Sequence, residues 1–173
     1  REGRVDITLT RSAAQGRTSL DVSVSGLGAR DVAAATPALA WLDLLRAPIS
    51  GTLSGALDDT GALGPFWGML SLGAGTLVLA PDAAQSDDAL RTPFDAMTLA
   101  LSYTPETGRL DVSNLRLDSP ALRLSGRGHA DVDRGGRRFT GQFQLAEIEA
   151  AFPGVLEAPV SLEGAALDMR LTL

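Results

Sequence analysis

Polar and apolar residues alternate along most of this 173-residue chain, and a period of two is typical of β-strands. In RVDITLTRS (4–12), for example, Val5, Ile7 and Leu9 alternate with polar or charged residues. The same pattern recurs in eight further segments, which begin at residues 19, 49, 70, 94, 109, 121, 138 and 165. Turn-forming residues separate most of these segments, so the sequence predicts a mainly β protein with an antiparallel meander.

Two segments depart from the alternation. In ATPALAWLDLLRAP, Leu39, Leu42 and Leu45 lie at helical spacing, which predicts a short helix near 36–46. AEIEAAFPGVLEAP predicts a second short helical or irregular segment near 147–153.

One predicted strand, RLDVSNLRLD (109–118), changes phase partway along. Leu110 and Val112 share one parity, whereas Leu115 and Leu117 share the other. An extra residue in one strand produces such a change, so a β-bulge is expected at Asn114.

The two departures are followed by similar segments, APISGTLSGALD (47–58) and APVSLEGAALD (158–168), 111 residues apart at their first residues. They suggest a partial internal repeat, although chance similarity in an Ala- and Leu-rich sequence is the other explanation. We treat residues 1–173 as one segment, and we expect it to be a fragment of a longer chain.

The stretch LSLGAGTLVLA (70–80) has two opposed interpretations, a phosphate-binding loop and a β-strand. A dinucleotide-binding loop needs a third glycine where Val78 stands, and TLVLA is strand-like rather than helical. The stretch is therefore predicted to be one long strand. Gly73 and Gly75 on one of its faces are expected to mark strong curvature, or a close approach by a ligand.

Composition removes several classes of function. There is no Cys and a single His, His129, so thiol catalysis and Cys- or His-based metal clusters are excluded. A net charge of −6 makes nucleic acid an unsuitable partner. No catalytic constellation is visible in the sequence. We therefore predict a non-enzymatic protein with no cofactor, no metal site and no catalytic residue; a hydrolase whose carboxylates converge only in the fold is the remaining enzymatic possibility.

The succession LDLLRAPISGTLSGALDDTGALGPFWGMLSLGAGTLVLAP, then FDAMTLALSYTPETGRLDVSNLRLDSPALRLSGRGHADVD, resembles the AsmA-like/DUF3971 regions of large bacterial envelope proteins. The shared pattern is a helix, a Pro-flanked strand with G-x-L steps, a G-x-L-x-L strand, and Y-x-x-x-T-G-R-L. The resemblance covers roughly residues 18–173.

This resemblance implies a curved, twisted sheet that forms an open groove, apolar inside and polar outside. It further implies a periplasmic protein, anchored to the inner membrane outside this segment, that carries phospholipids between the inner and outer membranes and serves envelope biogenesis. The expected partners are lipid acyl chains, and exposed strands could also associate edge to edge. Alternation along the strands gives the candidate groove lining: Leu53, Leu57, Leu77, Leu79, Leu99, Leu101, Leu122, Leu124, Phe143 and Leu145.

Burial of an acyl chain fits such a lining because it needs no specific polar contact. Each buried methylene contributes about 0.8 kcal/mol, so a chain of about 16 carbons gains on the order of 10 kcal/mol. The alternative is a self-contained β-sandwich or β-solenoid domain that is purely structural or binds a protein or glycan.

Overall fold

The structure is a computed structural model that describes residues 3–12, 17–34, 37–58, 61–79, 90–151 and 160–172. In chain order its elements are β1 (Arg4–Ser12), β2 (Arg17–Gly28), α1 (Ala29–Ala33), a 3₁₀ helix (Pro37–Leu44), β3 (Leu45–Arg46), β4 (Pro48–Leu57), β5 (Leu63–Leu72), β6 (Gly75–Leu79), β7 (Leu90–Phe94), β8 (Ala96–Thr104), β9 (Arg109–Asp118), β10 (Leu122–Val132), β11 (Arg138–Ala150) and β12 (Val160–Thr172).

Nine strands form one antiparallel sheet in the order β1-β2-β4-β5-β8-β9-β10-β11-β12. Within this sheet the strand order follows the chain, as expected for a meander. The sheet does not close, since β1 and β12 are its two edges. The predicted fold class, mainly β with a large open antiparallel sheet and short helical segments, is therefore confirmed.

A second antiparallel sheet contains the three short strands β3, β6 and β7 in the order β3-β6-β7. It is formed by two excursions from the large sheet. One carries α1, the 3₁₀ helix and β3 between β2 and β4, and the other carries β6 and β7 between β5 and β8. Both excursions contribute to the core.

The helix predicted near 36–46 is present, but it is a 3₁₀ helix over Pro37–Leu44. Its geometry matches the leucines, because Leu39 and Leu42 are three residues apart and a 3₁₀ helix has three residues per turn. Both side chains are fully buried. The second helical segment lies at Ala29–Ala33 instead of near 147–153. Residues 147–150 continue β11, and 152–153 lie outside the described residues.

The phase change in β9 is the predicted bulge. Asn114 pairs with Ala100, whereas the next paired residue, Val112, opposes Leu101. Ser113 is therefore the extra residue, and β9 presents Val112 and Leu115 on the same face. A similar irregularity in β5 explains its proline, since Pro65 lies where the register with β4 shifts, and bulges tolerate proline in an inner strand.

The prediction that residues 70–80 form one long strand is wrong. β5 ends at Leu72 in the large sheet, and β6 begins at Gly75 in the small one. The backbone N–H of Gly73 donates to the carbonyl of Pro48, 3.0 Å away, as the chain leaves the large sheet. A side chain at Gly75 would collide with Ala47, whose Cβ lies 2.5 Å from the position of an added Cβ. The close approach at this glycine is to the chain itself.

The two segments of the proposed repeat both lie at the start of a strand in the large sheet. Residues 48–57 form β4, which pairs with β2, and residues 160–168 belong to β12, which pairs with β11. Ala158 and Pro159 lie outside the described residues. The repeat itself stays a prediction.

Candidate functional site

One face of the nine-stranded sheet, here called the inner face, is apolar from edge to edge. The strand registers place inward side chains in rows that cross the sheet. One such row contains Ile7, Val22, Leu53, Gly68, Leu101, Val112, Gly128, Phe143 and Leu167. Alternation along each strand and constant register between strands thus produce a continuous apolar surface.

Glycines in this row let large neighbours lie across them. An added Cβ at Gly68 would lie 2.5 Å from Cδ2 of Leu53, and one at Gly128 would lie 2.6 Å from Cδ1 of Phe143. Real Cβ atoms do not approach so closely, so these positions exclude any side chain. The inner face is closely packed there by side chains of the adjacent strand.

The central part of the inner face is covered. Leu39 and Leu42 of the 3₁₀ helix belong to one hydrophobic core with Leu70, Leu99 and Leu101 of the sheet. Buried side chains of α1 and the small sheet, among them Val32, Leu45 and Phe94, complete this cover. The centre of the sheet is therefore a protein core.

The margins of the inner face are uncovered. Six of the eight large hydrophobic side chains that are exposed among the described residues lie on the inner face of the two edge strands. We call them the β1 margin (Val5, Ile7 and Leu9, 47%, 62% and 59% exposed) and the β12 margin (Val160, Leu162 and Leu167, 41%, 52% and 47% exposed). Contiguous exposed apolar surface of this kind is typical of a binding surface.

The candidate lining residues fall into three groups. Five lie on the inner face and are half-buried: Leu53, Leu57, Leu122, Leu124 and Phe143. Three are buried: Leu99 and Leu101, 4% and 3% exposed, lie in the covered centre, and Leu145 of β11, 8% exposed, lies across Gly126 of the neighbouring strand. Leu77 and Leu79 belong to β6 of the small sheet and not to the large sheet.

None of the six exposed side chains of the β1 and β12 margins was among the lining residues predicted from the sequence. Val5, Ile7 and Leu9 show the same alternation as the residues that were chosen, so the pattern itself contained them. What it lacked was the information that β1 and β12 are the edges. Leu124 connects the prediction to the β12 margin, because it pairs with Ile148, which in turn pairs with Leu162.

The opposite, outer face of the sheet is polar. Three Arg-x-Asp pairs lie along its strands, with N–O distances of 2.9 Å for Arg4–Asp6, 3.1 Å for Arg109–Asp111 and 3.0 Å for Arg116–Asp118. His129 also faces outward, opposite Asp111 and Gln142. Trp67 and Met69 are exceptions to this polarity, since both are more than 60% exposed among Ser and Thr side chains.

Metal-ligating side chains do not cluster in the part of the chain that the structure describes. Within these ranges, no group of three His, Asp or Glu side chains could hold a metal ion. Residues 133–137 form the turn between β10 and β11, where a carboxylate oxygen of Asp133 accepts from the backbone N–H groups of Arg137 and Arg138 at 2.7 and 3.1 Å. These hydrogen bonds lower the pKa of Asp133 below its usual value.

Two aromatic side chains have distinct environments near the inner face. Burial, with a smaller contribution from Glu106, raises the pKa of Tyr103, whose ring centroid lies 5.5 Å from that of Phe66. Trp41 of the 3₁₀ helix packs against the core, and its indole Nε1 is buried with no hydrogen-bond partner in the described part of the chain.

No protein-family model, no curated protein and no solved structure matches the chain. No helix among the described residues is long and apolar enough to cross a membrane. Fold and surface together define an open antiparallel sheet with a covered centre and two exposed apolar margins.

Proposed function

We propose that the chain binds lipid acyl chains on the apolar margins of its inner face, without catalysis. In this proposal it is a periplasmic segment of an AsmA-like protein, anchored to the inner membrane, that contributes to phospholipid transport between the two membranes and to envelope biogenesis. The observation that carries the proposal is the placement of six exposed apolar side chains on the inner face of the two edge strands.

Acyl chains suit the margins because the exposed margin side chains are all Val, Ile or Leu, which offer apolar area and no polar groups. Leu162 continues inward to Ile148 and Leu124, so a chain lying over β12 also contacts β11 and β10. Contact on one side only buries roughly half of each methylene, so about 16 carbons contribute on the order of 5 kcal/mol. Such moderate affinity is appropriate to a protein that must release its lipid.

Tryptophans placed on the two faces of β1 test directly which face binds. In a chain whose two native tryptophans are replaced by Phe, Ile7→Trp puts the indole on the inner face at the β1 margin, and Thr8→Trp puts it on the outer face of the same strand. Phosphatidylglycerol with brominated acyl chains should quench the indole at position 7 and leave the one at position 8 nearly unaffected. Equal quenching of both, or none of either, would contradict the proposal.

Variants of the β1 margin test the contribution of its side chains. Ile7→Ser with Leu9→Ser removes exposed apolar area, and should weaken lipid binding about ten-fold with little loss of fold. Thr8→Ser with Thr10→Ser, on the same strand but on the outer face, is the matched control and should bind as the parent does. Native mass spectrometry with dioleoyl phosphatidylglycerol measures both. Equal lipid occupancy in the two variants would exclude the β1 margin as a binding site.

A second candidate function, binding of a protein or glycan, is favoured by the outer face. Trp67 and Met69 project side by side from β5 on a surface otherwise formed by small polar residues, with Ser54 and Ser102 opposite Trp67. Exposed aromatic rings are common anchors for protein and sugar ligands. A change in Trp67 fluorescence with oligosaccharides, and none with lipid, would favour this function.

A further inference from the structure

The outward edge of β12 pairs with no strand in the part of the chain that the structure describes. β12 pairs with β11 on one side, and no described strand lies on the other. Its backbone N–H and C=O groups on that side are therefore available to a further strand. The inward side chains along this edge include Leu162 and Leu167, about half of whose surface is exposed.

Strand direction restricts which edge of a second copy could pair with it. All neighbours in the nine-stranded sheet are antiparallel, so β1 and β12 run in the same direction. Pairing β12 of one copy with β1 of the next, by continuation of the sheet, would be parallel. Antiparallel pairing, the more stable kind, requires the β12 edges of two copies to meet across a two-fold axis.

A two-fold axis through Leu167 gives β12 a self-complementary register. Apolar residues then meet apolar residues on the inner face, with Leu167 opposite Leu167 of the second copy, Ala165 opposite Met169, and Leu162 opposite Leu171. In this register Gly164, with φ of 69°, is the extra residue that has no residue opposite it. A glycine in the left-handed conformation commonly occupies this position of a β-bulge.

The charges on the outer face agree with this register. Glu163 of each copy lies opposite Arg170 of the other, which forms two ion pairs about the axis. Within one copy Glu163 opposes Glu147 of β11, an unfavourable arrangement that a nearby arginine would relieve. In the described part of the chain no ion pair contains Glu163 or Arg170.

The other edge strand, β1, has no charged outward side chains that could form ion pairs between two copies in the same way. On β1 the two charged outward residues, Arg4 and Asp6, already pair with each other at 2.9 Å. A two-fold register through Ile7 would place Asp6 opposite Thr8 and Arg4 opposite Thr10, with no ion pair between copies. The β12 edge is thus the better site for self-association.

We propose that two copies of this chain associate through their β12 edges in the register centred on Leu167, and that the Glu163–Arg170 pairs specify this register. The two-fold axis is normal to the sheet, so both inner faces point the same way. The β12 margins of the two copies then adjoin and form one continuous apolar strip at the centre of the dimer.

Charge exchange tests the register. Sedimentation equilibrium of the whole 173-residue chain should give twice the mass of one copy. Glu163→Arg alone and Arg170→Glu alone each place like charges opposite, and should raise the dimer dissociation constant about ten-fold or more. The double variant should restore dimerisation. A mixture of the two single variants should form a heterodimer, because their charges complement each other.

Two controls separate this register from other causes. Asp168→Arg should leave the dimer intact, because Asp168 lies opposite Ala166 in the proposed register; loss of the dimer would favour an axis through Met169 and overturn the proposal. Asp6→Arg on β1 should also leave it intact. A parent chain that stays monomeric, or a double variant that fails to dimerise while its circular dichroism matches the parent, would likewise overturn it.

Discussion

The turn between β10 and β11 touches the first residue of the 3₁₀ helix. An added Cβ at Gly136, which has φ of 66°, would lie 2.8 Å from the Cα atom of Pro37. This contact fixes one end of the helix that covers the centre of the inner face. Gly61 has a similar φ of 81° but nothing within 4 Å of an added Cβ. Comparing the two glycines therefore separates the cost of backbone strain from the cost of a steric clash.

We expect Gly136→Ala to destabilise the protein more than Gly61→Ala. Both replacements force a left-handed backbone on alanine, which costs about 1–2 kcal/mol. Only Gly136→Ala must also displace the helix, and we expect about 1–3 kcal/mol more. Urea unfolding followed by circular dichroism measures both. Equal losses would show that the turn and the helix do not depend on their contact.

The glycines at the junction of the two sheets should differ in the same experiment. An added Cβ at Gly75 would collide with the carbonyl of Arg46 and lie 2.5 Å from Cβ of Ala47, whereas one at Gly73 would have only Pro48 nearby, with Cγ at 3.2 Å and Cδ at 3.9 Å. We expect Gly75→Ala to cost about 2–3 kcal/mol and Gly73→Ala less than about 1 kcal/mol. A larger loss for Gly73→Ala would show that this turn is more constrained than the β3–β6 pairing.

Tyr103 should titrate above the usual range for tyrosine. It is the only tyrosine in a chain without Cys or Lys, so absorbance at alkaline pH reports its phenol directly. Because its pKa is raised in the folded state, its contribution to stability is complete below about pH 10 and is lost as pH rises through the folded pKa. Tyr103→Phe should remove this loss of stability. A spectroscopic midpoint at or below 10 would contradict the expected burial.

Asp133 should stabilise its turn at neutral pH and cease to do so in acid. Its pKa is lowered by the backbone N–H groups of Arg138 and Arg137, so its contribution is present above the unfolded value near 3.9. That contribution is lost as pH falls through the folded pKa. Asp133→Ala should lower the melting temperature at pH 7, and this difference should shrink below pH 3. A difference independent of pH would mean that the carboxylate charge is unimportant.

Local pattern was sufficient for most strands and for the helix. The alternation in 4–12 predicted β1 with its observed bounds, and the phase change in 109–118 predicted the bulge beside Asn114. Pattern failed for most of β5, since the predicted segment begins only at Leu70. Pro65 argues against an inner strand, and only the bulge opposite β4 makes this proline acceptable.

Which residues are available to a ligand was decided by the tertiary structure. Leu99 and Leu167 stand in similar alternating segments, yet Leu99 is 4% exposed and Leu167 is 47% exposed. Alternation assigns each side chain to one face of a strand, since successive residues point in opposite directions. It cannot tell which strand is an edge or which part of a face is covered, because both depend on pairing and packing with residues distant in sequence. The alternating sequence therefore determined which side chains form the apolar face, and the tertiary structure determined which parts of that face are exposed.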